Sequence, residues 1–168
     1  MRKLLKRLLN IPTDSFALKG EFMWIKTING VEVARSPWMR NKVVTSDARG
    51  LSIVLDRLAE INTYSLNITH AEIGDDNTAA TAADTSLGNG LVRVSKTTAE
   101  RSGNQVTFRF FFPDATTPDD TYEEIGLFID GTSTLDSGRI FNHLIFGTPM
   151  VKATGEDYTI VARITGSV

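Results

Sequence analysis

FALKGEFMWIKTINGVEVARS, residues 16–36, is the stretch whose reading decides the fold. It alternates with a period of two on both sides of Asn29-Gly30. Asn-Gly between two such runs is a strong hairpin signal, because both central turn positions need φ > 0. The chain therefore reads as antiparallel β from its first regular elements, and the question becomes how far that reading extends.

It extends almost to the C-terminus. Pro37 and Trp38 interrupt the run, and NKVVTS then reads as a short strand. Ser46 or Asp47 is a candidate cap for one helix over about 47–60, where Leu51, Val54, Leu55 and Leu58 recur at helical spacing. Strands are expected at 63–74, 91–98, 104–112, 122–130, 139–147 and 156–165, with turns at Ser102-Gly103, Pro118-Asp119-Asp120, Asp130-Gly131 and Gly155. In the third of these, Phe108, Phe110 and Phe112 should point one way and Arg109 and Phe111 the other. Strands at this spacing with a single helix predict a mainly β chain, an antiparallel β-sandwich.

Two segments stand apart from that pattern. Residues 1–12, MRKLLKRLLNIP, predict a short amphipathic helical arm ahead of a single β-sandwich domain at 13–168. Leu4, Leu5, Leu8 and Leu9 share one face, Arg2, Lys3, Lys6 and Arg7 the other, and Pro12 ends the run. So short a helix is marginal alone, so it should dock on its own domain, on a partner subunit or on a membrane surface. The leucines suit an apolar groove rimmed by acids on a neighbour. The second segment is the long connection after His70, DDNTAATAADTSLGNG. It has too few large apolar groups to build a core, so it should lie across this domain or an adjacent subunit. Asp75, Asp76 and Asp84 can bond local backbone amides, Asp84-Thr85 should form the closing turn, and Leu87 should act as an apolar plug.

Composition narrows the chemistry. The 168 residues suit one domain, and no cysteine means no disulfide, thiolate metal site or cysteine nucleophile. A net charge of −2 argues against nucleic-acid binding, although Trp24, Lys26, Arg35, Trp38, Arg40 and Lys42 cluster in sequence. No apolar run reaches the ~18 residues of a membrane span, and Lys6 and Arg7 interrupt the leucines that an export signal would need.

His70 and His143, the only histidines, sit within predicted strands and read as satisfied core or edge residues. No G-x-S-x-G, H-E-x-x-H or P-loop pattern occurs. Glu123 and Glu124 are adjacent on a strand and so face opposite sides, one solvated and one paired. A glycosidase reading needs Glu124 or Asp84 to face a second carboxylate within roughly 10 Å. Asp75, Asp76, Asn77 and Asp84 offer oxygen ligands for calcium but lack the EF-hand pattern. A binding-module reading needs exposed aromatics, with Trp24, Trp38 and Tyr64 as candidates. Asn67-Ile68-Thr69 reads as a chance match to the glycosylation triplet.

Over residues 38–165, an ordered set of motifs resembles small structural proteins of tailed-bacteriophage virions. Its members are Asn41, Val43 and Gly50, then Ile73 and Gly74, then Asp84, Thr85 and Leu87, then Arg93, then Glu124, Gly126, Leu127 and Phe128. The usual I-G-x-G form is departed from, since Asp75-Asp76 follow Gly74. The resemblance implies a non-enzymatic, cofactor-free component of the tail, baseplate, neck or capsid surface, made in the host cytoplasm and assembled into the virion. It implies a homo-oligomer that joins other virion proteins, with the arm and the residue 75–87 loop as contact elements.

Overall fold

The computed structural model describes residues 17–45 and 49–167. The expected arm, with Arg2, Lys3, Leu4, Leu5, Lys6, Arg7, Leu8 and Leu9, lies outside the described residues, as do the candidate caps Ser46 and Asp47. Among the described residues ten strands form in chain order: β1 Ala17–Ile28, β2 Val31–Arg35, β3 Met39–Arg40, β4 Lys42–Val43, β5 Ile68–Gly74, β6 Gly90–Ser102, β7 Gln105–Phe112, β8 Thr121–Ile129, β9 Arg139–Val151 and β10 Glu156–Ser167. Among the described residues one α-helix, α1, spans Gly50–Leu58, shorter than the expected 47–60. The β1–β2 hairpin turns at Asn29-Gly30 with φ values of 52° and 77°, as the Asn-Gly pair demands.

The strands make one antiparallel sheet in the order β2-β1-β10-β7-β6-β5-β8-β9-β4. It curls on itself through two devices. The 13-residue β6 is shared: its first half pairs with β5, as in Glu72 opposite Arg93, and its second half pairs with β7, as in Lys96 opposite Phe110. On the far side, residues 39–43 draw the two ends together, because Met39-Arg40 pair with β1 and Lys42-Val43 pair with β9.

The inward face is the core. Phe108, Phe110 and Phe112 are buried and Arg109 and Phe111 are exposed, as the alternation predicts. Phe110 and Phe112 meet Phe22 of β1, Ile125 of β8 and Ile160 of β10 in one apolar cluster. Burying a large side chain of this kind contributes about 1.5–3 kcal/mol, so the cluster supplies most of the drive to curl. Trp24 belongs to it. Its indole Nε1 donates to the Thr148 carbonyl at 3.0 Å, and its ring meets Tyr158 edge-on.

The expected strand at 63–74 begins later, at Ile68. Leu66 adopts φ 60°, and Ser65 donates its backbone N–H to Asp130 Oδ2 at 2.9 Å, which holds residues 63–67 off the ladder. None of the described helices is long and apolar enough to cross a membrane.

Candidate functional site

β8 is the strand to which the polar chemistry gathers. Tyr122 and every residue from Glu124 to Ile129 are buried, so both faces of this strand are covered. Ile125, Leu127 and Ile129 point into the main core. Glu124, Gly126 and Phe128 face the other way, where a strand would ordinarily meet water. The 75–89 connection covers them. Its Leu87 packs in a second apolar cluster with Val44, Phe128 and Ile140 and is 5% exposed. Gly126 leaves the space: a Cβ there would lie 2.9 Å from Leu87 Cδ2.

A chain of charged groups fastens the same loop. Glu124 is fully buried. Its carboxylate accepts from the Gly88 N–H at 2.9 Å and the Asn89 N–H at 2.7 Å. It also meets His143 Nε2 at 2.9 Å, while His143 Nδ1 meets Asp84 Oδ2 at 2.5 Å. With a carboxylate on each nitrogen, the imidazole is held doubly protonated and donates to both. Burial alone would lower its pKa, but the hydrogen bonds and charges of Glu124 and Asp84 outweigh that and raise it. Burial pushes the Glu124 carboxyl up, and the bonds from His143, Asn89 and Gly88 more than reverse it, leaving it low. Asp84 is also low: burial opposes ionisation, and Thr81 and His143 overcome it.

A second buried pair lies alongside. Arg93 Nη1 meets Glu72 Oε2 at 2.6 Å, with both side chains essentially inaccessible. Arg93 also donates to the Ser137 carbonyl at 2.6 Å and the Thr132 carbonyl at 2.8 Å, and its guanidinium lies 4.2 Å from the centre of the Phe128 ring. It therefore pins the β8–β9 connection as Glu124 pins the 75–89 loop. Here burial wins: it raises the Glu72 carboxyl despite the Asp136 amide and Arg93, and Glu72 Oε1 is buried without a hydrogen-bond partner. A third clamp is Lys152, buried with Nζ 2.6 Å from Asp114 and 3.1 Å from Asp119.

The expected contact residues divide. Leu87 and Asp84 are committed to this domain, while Asp75 and Thr85 stand exposed. Asp76 Oδ1 accepts from the Thr78 N–H at 2.8 Å, an Asx turn, and Asp84 accepts from the Thr81 N–H at 2.8 Å. Asp75 instead accepts from the Asn89 side chain at 2.7 Å. Asp76 and Asp84 line one shallow pocket with His143, while Asp75 is tied to Asn89. Among the described residues no cluster of potential metal ligands forms.

Asp84 and Glu124 do face one another, as a paired-carboxylate reading asks, but the His143 ring fills the space between them. Glu123 is the half-buried neighbour on the opposite side of the strand. His70, half-buried, has Nδ1 3.0 Å from Thr69 Oγ1, and burial followed by the Arg93 charge lowers its pKa.

The aromatic candidates are also occupied. Trp24 is a core residue, Tyr64 accepts from Arg139 at 2.6 Å, and Trp38 carries the Arg163 guanidinium 3.9 Å above its ring. Of the clustered basic residues, Lys26 pairs with Glu156 at 2.7 Å and Arg35 with Glu32 at 2.6 Å. The sequence reading anticipated neither the His143 bridge nor the Arg93–Glu72 pair. The available signal was a charged residue inside a run otherwise apolar on both faces, as in AEIG and EEIGLFI.

No family model, curated protein or solved structure matches this chain.

Proposed function

We propose that the chain is a non-enzymatic structural component of a tailed-bacteriophage virion, self-associating and joining the tail, baseplate or neck assembly. The observation that carries the reading is where the motif residues lie. Gly74, Asp84, Leu87, Glu124, Gly126 and Phe128 bear the resemblance, and all of them border or fasten the docked 75–89 loop. Residues used in this way build a rigid surface. A reacting group would need a free nitrogen or carboxylate, and His143, Glu124 and Asp84 are each bound to another. In this reading the curled sheet serves as a flattened sandwich, with β1, β10 and β7 facing β5, β8 and β9 across the aromatic core.

The test is the mass of the purified protein by light scattering, with and without residues 1–11. A defined oligomer that falls to a folded monomer without them is expected. A monomer in both forms overturns self-association. Binding to expanded, tailless capsids would move the assignment to a capsid decoration protein.

A further inference from the structure

One end of the curled sheet is unlike the rest of its surface. A cavity of about 190 Å³ opens there, lined by Val54, Leu66, Ile68, Val106, Phe108 and Ile164 among other apolar side chains. Val54 belongs to α1, and the apolar surface continues along that helix. Leu51, Leu55 and Leu58 follow at i, i+4 and i+7, beside Val54. Leu55 is 56% exposed, Leu58 78%, and Ile61 just beyond the helix 74%. Only Gly50 and Ile53 of α1 are buried. A helix normally turns its apolar stripe to the core, and contiguous exposed apolar surface of this kind marks a contact site.

The chain itself enters at the same end. Ile164 in the cavity wall pairs across the sheet with Gly20 of β1 on one side and Val106 of β7 on the other. The first described residue, Ala17, is therefore three positions from the cavity rim. Ahead of it lie four leucines and four basic residues within the first nine. α1, nine residues long, offers a seat about 14 Å in length. The charges also complement. α1 carries Asp56 and ends beside Glu60, and its one cation, Arg57, is turned onto the Asn62 carbonyl at 3.0 Å.

We infer that this end of the sheet is the seat for residues 1–11 of a second copy of the chain, each copy of a twofold pair receiving the other's leucine segment. The inference rests on the self-association proposed above and names its surface. β1 begins at the same end as this seat, so two copies meeting end to end would exchange segments reciprocally and close the contact, as an isologous pair requires. Leu4, Leu5, Leu8 and Leu9 cover Leu55, Leu58 and Ile61 and cap the cavity. Arg2, Lys3, Lys6 and Arg7 remain at the rim toward Asp56 and Glu60. The apolar contacts supply the affinity and the charges set the orientation.

The absence of cysteine makes a clean test, because introduced thiols have no competitors. Leu8→Cys and Leu58→Cys copies, carrying different tags, are co-expressed and oxidised, and a chain carrying both substitutions is oxidised alone. A covalent dimer bearing both tags is expected at several times the yield of either variant alone. Leu58→Glu, at a position too exposed to disturb folding, should halve the mass in solution and leave the melting temperature unchanged.

If the doubly substituted chain closes on itself as a covalent monomer at high dilution, the occupant is its own segment and the inference is overturned. If Leu58→Glu leaves the oligomer intact while deletion of residues 1–11 dissolves it, the seat is wrong and self-association stands. If the parent protein is monomeric, both fail.

Discussion

Replacing Glu124 tests whether the 75–89 loop is part of the folded unit or merely rests on it. Glu124→Ala removes a fully buried carboxylate that holds the Gly88 and Asn89 amides and one side of His143. Breaking a buried ion pair by deleting one partner costs about 3–5 kcal/mol, and each bond to a charged acceptor contributes roughly 1.5–3. These terms overlap. Gly88 and Asn89 are also exposed residues that water can reach once the carboxylate is gone. The expected loss is therefore about 3–4 kcal/mol. For a chain of this size that lowers the melting temperature by roughly 6–16 °C.

Glu124→Gln keeps one oxygen to accept from an amide but sets its NH2 against the other N–H and loses the charge, so its cost should approach that of Glu124→Ala. Glu123→Ala, one residue away on the opposite side of the strand, should stay within ~0.5 kcal/mol. The assays are urea denaturation and thermal melting followed by circular dichroism, with hydrogen exchange at Gly88 and Asn89 as the local readout. If Glu124→Ala melts within 2 °C of the parent, or Glu123→Ala loses as much, the buried network does not hold the domain together and the reasoning fails.

Leu87→Ala removes the loop's only buried side chain from its contact with Val44, Phe128 and Ile140, and should cost about 2–4 kcal/mol in urea denaturation. Gly126→Ala places a methyl 2.9 Å from Leu87 Cδ2, an overpacking that should cost about 1–3 kcal/mol, and pairing it with Leu87→Ala should recover part of the loss. Stability against pH should form a plateau bounded on both sides. His143 is raised, so its contribution is complete below its ordinary 6.5 and is lost as pH climbs through the raised value. Glu124 and Asp84 are lowered, so theirs is complete above 4.5 and 3.8 and is lost as pH falls through the lowered values. His143→Gln should remove the alkaline decline, and a decline that survives it would assign that limb to other groups. Arg93→Lys keeps the charge but cannot reach Glu72, Ser137 and Thr132 at once; hydrogen exchange should quicken across the β8–β9 connection, at a cost of roughly 1–3 kcal/mol.

Local periodicity carried the β reading well. The Asn29-Gly30 turn, the inward Phe108-Phe110-Phe112 row and the division of Glu123 from Glu124 all follow from rules that span a few residues. Leu87 was legible as a plug because it is the one large apolar residue in its loop. What it plugs was not. Asp84 and His143 are 59 residues apart, and nothing in either neighbourhood names the other.

The double burial of β8 was partly written in EEIGLFI, where apolar residues occupy both parities, yet a buried charge in such a run reads equally as an edge residue. Trp24 sits on the strand face that turned inward, so its indole serves the core and not a ligand. The joining of the sheet was invisible for a simpler reason. A strand that changes partner halfway, as β6 does between Ser95 and Lys96, keeps the same alternation throughout. The two-residue strands β3 and β4 are too short to show any period.

That shared strand sets how the molecule meets mechanical load. Two separate sheets held by side-chain packing can hinge or peel apart one contact at a time. Here β6 runs unbroken through both halves, and residues 39–43 stitch them again on the other side. The result is a hoop. A pull that parts its two halves meets an unbroken strand on one side and backbone pairing on the other, so the halves cannot separate by loss of side-chain packing alone.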